Sequence, residues 1–169
     1  MARAQDFEGF VQSRYAALAR TAVLLAGTRA DGEDLLQEAL IRTYLAWPKV
    51  RESAAAAAYV RTTMVRLLLR DRKRRWSGEI PHGELPEAAV TSDLVTAPAI
   101  RAALQSLPTD QRAAIVLRFY AEQTEAQIAD TLGCAPGTVK SRVSRGLDAL
   151  RRSGLLLDDP QPATPGRTP

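Results

Sequence analysis

The sequence has almost none of the residues on which metal, redox and acid-base chemistry depend. Its 169 residues include one cysteine, Cys134, and one histidine, His82. A single thiol excludes an internal disulfide and a cysteine-rich zinc site, which suits a reducing compartment. Cys134 itself is expected as a small buried apolar residue. There is also no Gly-rich phosphate loop and no cluster of metal-ligating side chains, so the expectation is no catalytic residue, no metal, no cofactor and no enzyme activity. No uninterrupted apolar stretch approaches the ~20 residues of a membrane span. The opening MARAQDFEGF lacks the charged region and apolar run of a secretory signal. A cytoplasmic protein with no membrane insertion is expected.

Strand signals are equally scarce. Apolar residues make up 46% of the chain, and they recur at three- and four-residue steps rather than in alternation, so an all-α protein is expected. Breaks at Gly27 to Gly32, Pro48, Pro108 and Gly133, with a long broken middle stretch, predict five or more helices in two blocks. The middle stretch, Ser77 to Ala97, carries Pro81, Gly83 and Pro86. Its charges are Glu79, Glu84, Glu87 and Asp93, with no Lys or Arg. It reads as a flexible acidic linker between two small helical domains. The division expected is 1–76, 77–97 as linker, 98–153, and a disordered tail at 154–169.

Charge gives the first functional hint. The chain carries 23 Lys and Arg against 19 Asp and Glu, and the cations are concentrated in two helices. In the second block, Thr124 is placed to cap a helix with Gln127 answering three residues on, as in a capping box. Gly133 suits the left-handed stop of that helix, and Pro136 the first position of the next. A short helix, a tight turn and a second helix make a helix-turn-helix over Thr124 to Arg152. Val139, Val143, Gly146, Leu147 and Leu150 share one stripe and should face the core. Thr138, Lys140, Ser141, Arg142 and Arg145 are left for the DNA major groove, a set suited to phosphates and guanine edges. One local conflict stands at Ala135, where a capping side chain is missing at a cost of ~1 kcal/mol.

The first block opens with a helix from Phe7 to Ala26, apolar at Phe7, Val11, Leu18, Ala22 and Leu25. A second helix from near Asp31 buries Leu35, Leu36, Ala39, Leu40, Thr43, Tyr44 and Trp47. Its other face mixes Asp34, Gln37, Glu38 and Arg42 with Ile41 and Leu45. Apolar groups among charges read as a docking surface for a partner, or as contact with another helix of the same domain. The third helix, Ala54 to Trp76, ends in RDRKRRW. Seven cations and one acid lie between Arg61 and Trp76, which predicts a basic ridge along a phosphate backbone. Trp76 and Tyr59 either offer ring faces to an unpaired base or close the edge of the core.

The segments DGEDLLQEALIRTYLAW, AYVRTTMVRLLLRDRKRRW and LQSLPTDQRAAIVLRFYAEQTEAQIADTLGCAPGTVKSRVSRGLDALRR, in this order, resemble bacterial sigma-70 family factors of the extracytoplasmic-function (ECF) type, and within them the actinobacterial sigma-E-like subfamily. The resemblance covers Phe7 to Arg152. It implies a sigma region 2 bundle and a sigma region 4 helix-turn-helix in a dissociable subunit, monomeric when free. That subunit would bind core RNA polymerase through its clamp and flap and direct promoter-specific initiation. On this resemblance Asp34, Gln37, Glu38, Ile41, Arg42 and Leu45 dock on the polymerase. Arg61, Arg66, Arg70, Lys73, Arg74 and Trp76, with the loop from Pro48 to Ser53, open and read the minus-10 element. The helix-turn-helix reads the minus-35 element of promoter DNA. The chain departs from the family at Arg66, often Asn, and at Ala135, often a capping residue. An anti-sigma factor masking the face around Ile41 and Leu45 is a further expectation.

Elements about 25 base pairs apart are separated by ~80 Å along the duplex. A linker of Ser77 to Ala97 spans at most ~70 Å, so two domain widths complete the reach. The alternative is a stand-alone helix-turn-helix regulator whose first block dimerises or senses a ligand. It predicts tight binding to a palindromic operator without polymerase.

Overall fold

The computed structural model describes residues 2–50, 53–76 and 98–154, with side chains described throughout these except at 2–4, 53 and 72–76. Among them are seven α-helices: α1 (Ala2–Ala26), α2 (Arg29–Val50), α3 (Ser53–Trp76), α4 (Pro98–Gln105), α5 (Thr109–Phe119), α6 (Glu125–Leu132) and α7 (Pro136–Arg152). The all-α expectation holds, as two helical domains, α1 to α3 and α4 to α7. The acidic linker and the tail beyond Gly154 lie outside the described residues.

In the first domain the three long helices pack around a core of Phe10, Leu18, Leu36, Trp47, Val60 and Met64. Small residues set the approach of the helices. Gly32, expected as part of a break, lies inside α2, where a Cβ would come within 2.8 Å of the Val23 backbone on α1. The break is confined to Gly27 and Thr28, because the Thr28 hydroxyl accepts from the Asp31 amide at 3.0 Å and starts α2 at once. Pro48 does not break α2 either. It stands in the last turn, two residues before the end, and burial of Thr43 and Trp47 on the same helix outweighs one lost backbone bond. Phe7, Phe10, Tyr44 and Trp47 form an aromatic cluster with ring centroids 5.0 to 6.1 Å apart. Tyr44 was expected inside, but although it packs against Phe7 it stays exposed.

The second domain follows its sequence signals closely. The Thr124 and Gln127 capping box is formed in both directions, at 3.3 and 2.9 Å. Gly133 closes α6 with φ 62°, a conformation that costs an L residue energy and glycine little. Pro136 opens α7 behind Ala135, which makes no side-chain cap. On α7, Val139, Gly146 and Leu150 are buried, with Val143 and Leu147 half-buried.

The two domains also pack on each other. Helix α5 is buried from Arg112 through Leu117, six residues in succession, more than one amphipathic stripe allows. The reason is that α5 has α7 on one side and α1 and α3 on another.

Candidate nucleic-acid interface

The first three turns of α7 carry the five residues expected at the major groove. Lys140 and Arg145 are exposed, and Thr138 and Ser141 are half-buried, with the Ser141 hydroxyl donating to the Thr138 carbonyl at 2.9 Å. Lys140 Nζ lies 3.7 Å from Glu125 Oε2 on α6. Arg142 is arranged differently from its neighbours. Its Nε is 3.2 Å from Asp110 Oδ2 on α5, and its Nη1 is 3.3 Å from Cys134 Sγ in the turn. One guanidinium therefore ties α7 to the turn of the motif and to α5 beneath it, which fixes the angle at which α7 is presented. Cys134, expected as buried, is half-exposed because the turn lies at the surface.

The described cations of the basic helix do not form one ridge. At ~100° per residue, Arg66 and Arg70 share a stripe, and Arg61 falls on a nearly opposite side. Arg66 and Arg70 are exposed, the latter 3.9 Å from Asp71. Arg61 is half-buried, and its Nε has no hydrogen-bond partner among the described residues. Burial lowers its pKa, the charge of Arg14 adds to the shift, and Glu122 of the second domain opposes it. Arg61 thus faces the seam between the domains. The side chains of Lys73, Arg74 and Trp76, and residues 51 and 52 of the loop before α3, lie outside the described residues.

The mixed face on α2 is present as expected. Ile41 is 58% and Leu45 70% exposed, so no helix among the described residues covers them. Asp34 and Gln37 are exposed beside them, and Glu38 and Arg42 form an ion pair at 2.7 Å. Exposed leucine and isoleucine ringed by charge make a surface with something to gain from a partner.

Composition did not reveal the seam. Gln105 at the end of α4 donates to the Leu24 carbonyl on α1 at 3.3 Å and accepts from Arg112 Nη1 at 2.7 Å. It rests on Gly27 so closely that a Cβ there would collide with it. Thr62 on α3 and Thr131 on α6 share a hydrogen bond at 3.2 Å. Arg112 is 8% exposed, with its Nε unpartnered among the described residues, and burial alone lowers its pKa. Beside it a cleft of 480 Å³ runs between the domains, lined by Asp34, Glu38, Leu68, Asp71, Thr109 and Arg112. The mixed face of α2 therefore borders the second domain. The available signal was the uninterrupted apolar run AAIVL directly after Arg112, which leaves that arginine needing either a partner or a seam.

Among the described residues no helix is long and apolar enough to cross a membrane. Comparison with known proteins gives the two domains their family. Residues 10–78 match the model of Sigma-70 region 2, and residues 98–150 that of Sigma-70, region 4. The chain is 37% identical over 150 residues to an RNA polymerase sigma-E factor of Streptomyces avermitilis, covering 86% of this chain and 83% of that one. It is 36% identical over 162 residues to an RNA polymerase sigma-E factor of Streptomyces coelicolor, covering 94% and 91%. To the ECF RNA polymerase sigma factor SigM of Mycobacterium tuberculosis it is 34% identical over 150 residues, covering 86% and 76%. Its fold is similar to that of the sigma factor RpoE of Bartonella quintana, solved in complex with the anti-sigma factor NepR. The TM-score is 0.64 at 25% identity, over 88% of this chain and 96% of that one. With a region 2 bundle and a region 4 helix-turn-helix in that order, the chain belongs to the sigma-70 family, in its extracytoplasmic-function group.

Proposed function

We propose that the chain is a dissociable, non-catalytic subunit that binds core RNA polymerase in the cytoplasm and gives it promoter specificity. The observation that carries this reading is the coexistence of an exposed apolar face on α2, at Ile41 and Leu45, with a helix-turn-helix whose first helix carries a complete capping box. A stand-alone operator-binding protein needs the second feature and would use the first only to dimerise, whereas a subunit that docks on the polymerase needs both. Residues 1–76 and 98–153 are the functional units, joined through 77–97. Asp34, Gln37, Glu38, Ile41, Arg42 and Leu45 dock on the polymerase. Arg66 and Arg70 lead the minus-10 contact, with Lys73, Arg74 and Trp76 following on the same helix, and Arg61 enters only when the seam parts. Thr138, Lys140, Ser141 and Arg145 read the minus-35 duplex, with Arg142 holding α7 in place.

Simultaneous contact with both elements requires the domains to separate. A packed body of about 130 residues has a radius of gyration of ~14 Å, hence a width of roughly 40 Å. That is half the ~80 Å between elements about 25 base pairs apart. The packed form is therefore a resting state, and an anti-sigma factor that covers the α2 face would prolong it.

The test is reconstituted transcription with core polymerase on genomic fragments. Promoter-dependent transcripts are expected, lost on Ile41→Asp with Leu45→Asp. No such initiation, together with tight binding of the free chain to a palindromic duplex, would overturn the reading.

A further inference from the structure

Helix α7 rests on its domain along a single line. Val139, Gly146 and Leu150 are buried, and at ~100° per residue they fall within ~40° of one another around the helix. Gly146 lets α7 close on α5, where an added Cβ would come within 2.5 Å of Ile115 Cδ1. Such a line of apolar contacts sets how near two helices lie. It does little to stop one rolling on the other, because apolar attraction is not directional. The exposed residues Lys140, Ser144, Arg145 and Asp148 lie on the side of α7 away from this line. Arg142 belongs to neither set. It stands ~60° off the line of contact, on the flank, and its guanidinium is turned back to Asp110 Oδ2 of α5 at 3.2 Å. The two side chains are only 23% and 29% exposed, so the pair is screened less than an ion pair in open solvent. The other contact of Arg142, from Nη1 to Cys134 Sγ, is to a weak acceptor. Asp110 therefore supplies most of the hold.

We propose that Asp110 is a positioning residue for the DNA-reading face: from α5, outside the helix-turn-helix, it sets the roll of α7 through Arg142. A tether off the line of contact is what a rolling helix needs, and this pair is placed there. The magnitude is large enough to matter. On a helix of ~5–6 Å radius a roll of ~15° carries a side-chain tip ~1.5 Å, well beyond the ~0.5 Å within which a binding constellation must be held. Arg142 is accordingly engaged with α5 and reads no base. The inference deepens the proposed minus-35 role of α7 and rests on it wherever DNA is the readout.

The test has one arm with DNA and one without. On a promoter found by reconstituted transcription, holoenzyme carrying Asp110→Ala should lose about tenfold of its preference for the intact over a scrambled minus-35 element, the worth of about one direct base contact. Asp110 also stands in the first turn of α5, where a carboxylate stabilises the helix end. Arg142→Met breaks the same pair without touching α5 and should lose as much, and the double variant should lose no more than either. Asp110→Asn, with the same shape and an acceptor still in place, should keep more of the preference than Asp110→Ala. In the free full chain, residual dipolar couplings of the backbone amides report the orientation of α7 against α5, and Asp110→Ala should change them. Unchanged couplings overturn the proposal whatever the promoter assay gives. So does a preference that Asp110→Ala leaves intact or raises, a rise meaning that Arg142 is a phosphate contact held back by Asp110. A wild-type holoenzyme indifferent to the minus-35 element would instead be a failure of the functional reading, and the couplings would still decide the role of Asp110.

Discussion

Gln105→Ala should shift the chain from its packed to its separated form, and the size of the shift follows from the seam. The Gln105 side chain is both an interdomain bond to the Leu24 carbonyl and an acceptor for the buried Arg112 guanidinium. In the separated form Arg112 meets water and needs no protein acceptor. In the packed form its loss leaves a desolvated charge with nothing in its place. A hydrogen bond to a charged group contributes about 2 kcal/mol, and the penalty falls on the packed form alone. That is about a 30-fold change in the ratio of separated to packed molecules. If the separated form is a minor species, apparent affinity for core polymerase rises by up to the same factor, because only that form binds with both domains. Labels at Cys134 and at Gln12→Cys on α1 report the separation by single-molecule energy transfer, and unlabelled protein reports affinity. Arg112→Met works in the opposite direction: it removes the buried charge and keeps its volume, so the packed form should hold or tighten. An unchanged transfer distribution in Gln105→Ala, with α4 and α5 still folded by circular dichroism, would refute the seam as the element that sets the resting state.

Other substitutions separate the surfaces. Arg145→Ala should weaken minus-35 duplex binding by about 1–3 kcal/mol and leave core-polymerase affinity as it was, measured by anisotropy on each partner. Leu45→Asp should do the converse, costing at least ~2 kcal/mol in the proposed docking face, with an unchanged melting temperature because the residue is exposed. Ala135→Asp places a capping side chain on extended backbone, φ −70° and ψ 149°, and should raise stability by about 0.5–2 kcal/mol in chemical denaturation. Gly32→Ala should cost ~1–3 kcal/mol by forcing α1 and α2 apart, read in the same experiment.

How far the sequence announced all this differs between the domains for a physical reason. The helix-turn-helix is a local object. Its cap at Thr124, its left-handed glycine and its Pro136 each act within four residues, so their signals survive without knowledge of the rest of the fold. The breaks expected at Gly32 and Pro48 failed for the opposite reason. Whether a glycine ends a helix or admits a neighbouring one depends on Val23, nine residues away on another helix. The exposure of Ile41 and Leu45 was legible because charges surround them on the same helix. The inward turn of Arg61 was not, since Arg14 and Glu122 come from outside α3. The seam as a whole was invisible to helical periodicity, which records that a residue is apolar but not which domain buries it. Only α5, apolar on more sides than its own domain needs, carried a trace of it.

The seam and the α2 face are neighbours, and that adjacency makes domain opening and partner binding a single coupled equilibrium. Asp34 and Glu38 belong to the proposed docking face, and they also line the cleft whose other wall is Thr109 and Arg112. A partner that needs the full face gains more from the separated form, and one that grips both walls of the cleft gains more from the packed form. By reciprocity each shifts the other's affinity by the same factor. Core polymerase and an anti-sigma factor therefore need not compete for identical residues to exclude one another; opposite preferences for the state of the seam suffice. The prediction that distinguishes this from simple masking uses Gln105→Ala once more, at a position outside the docking face. If the seam transmits the choice, the variant should bind polymerase more tightly and a packed-form-selective anti-sigma factor more weakly, by comparable factors. If masking is the whole mechanism, both affinities should stay where they are.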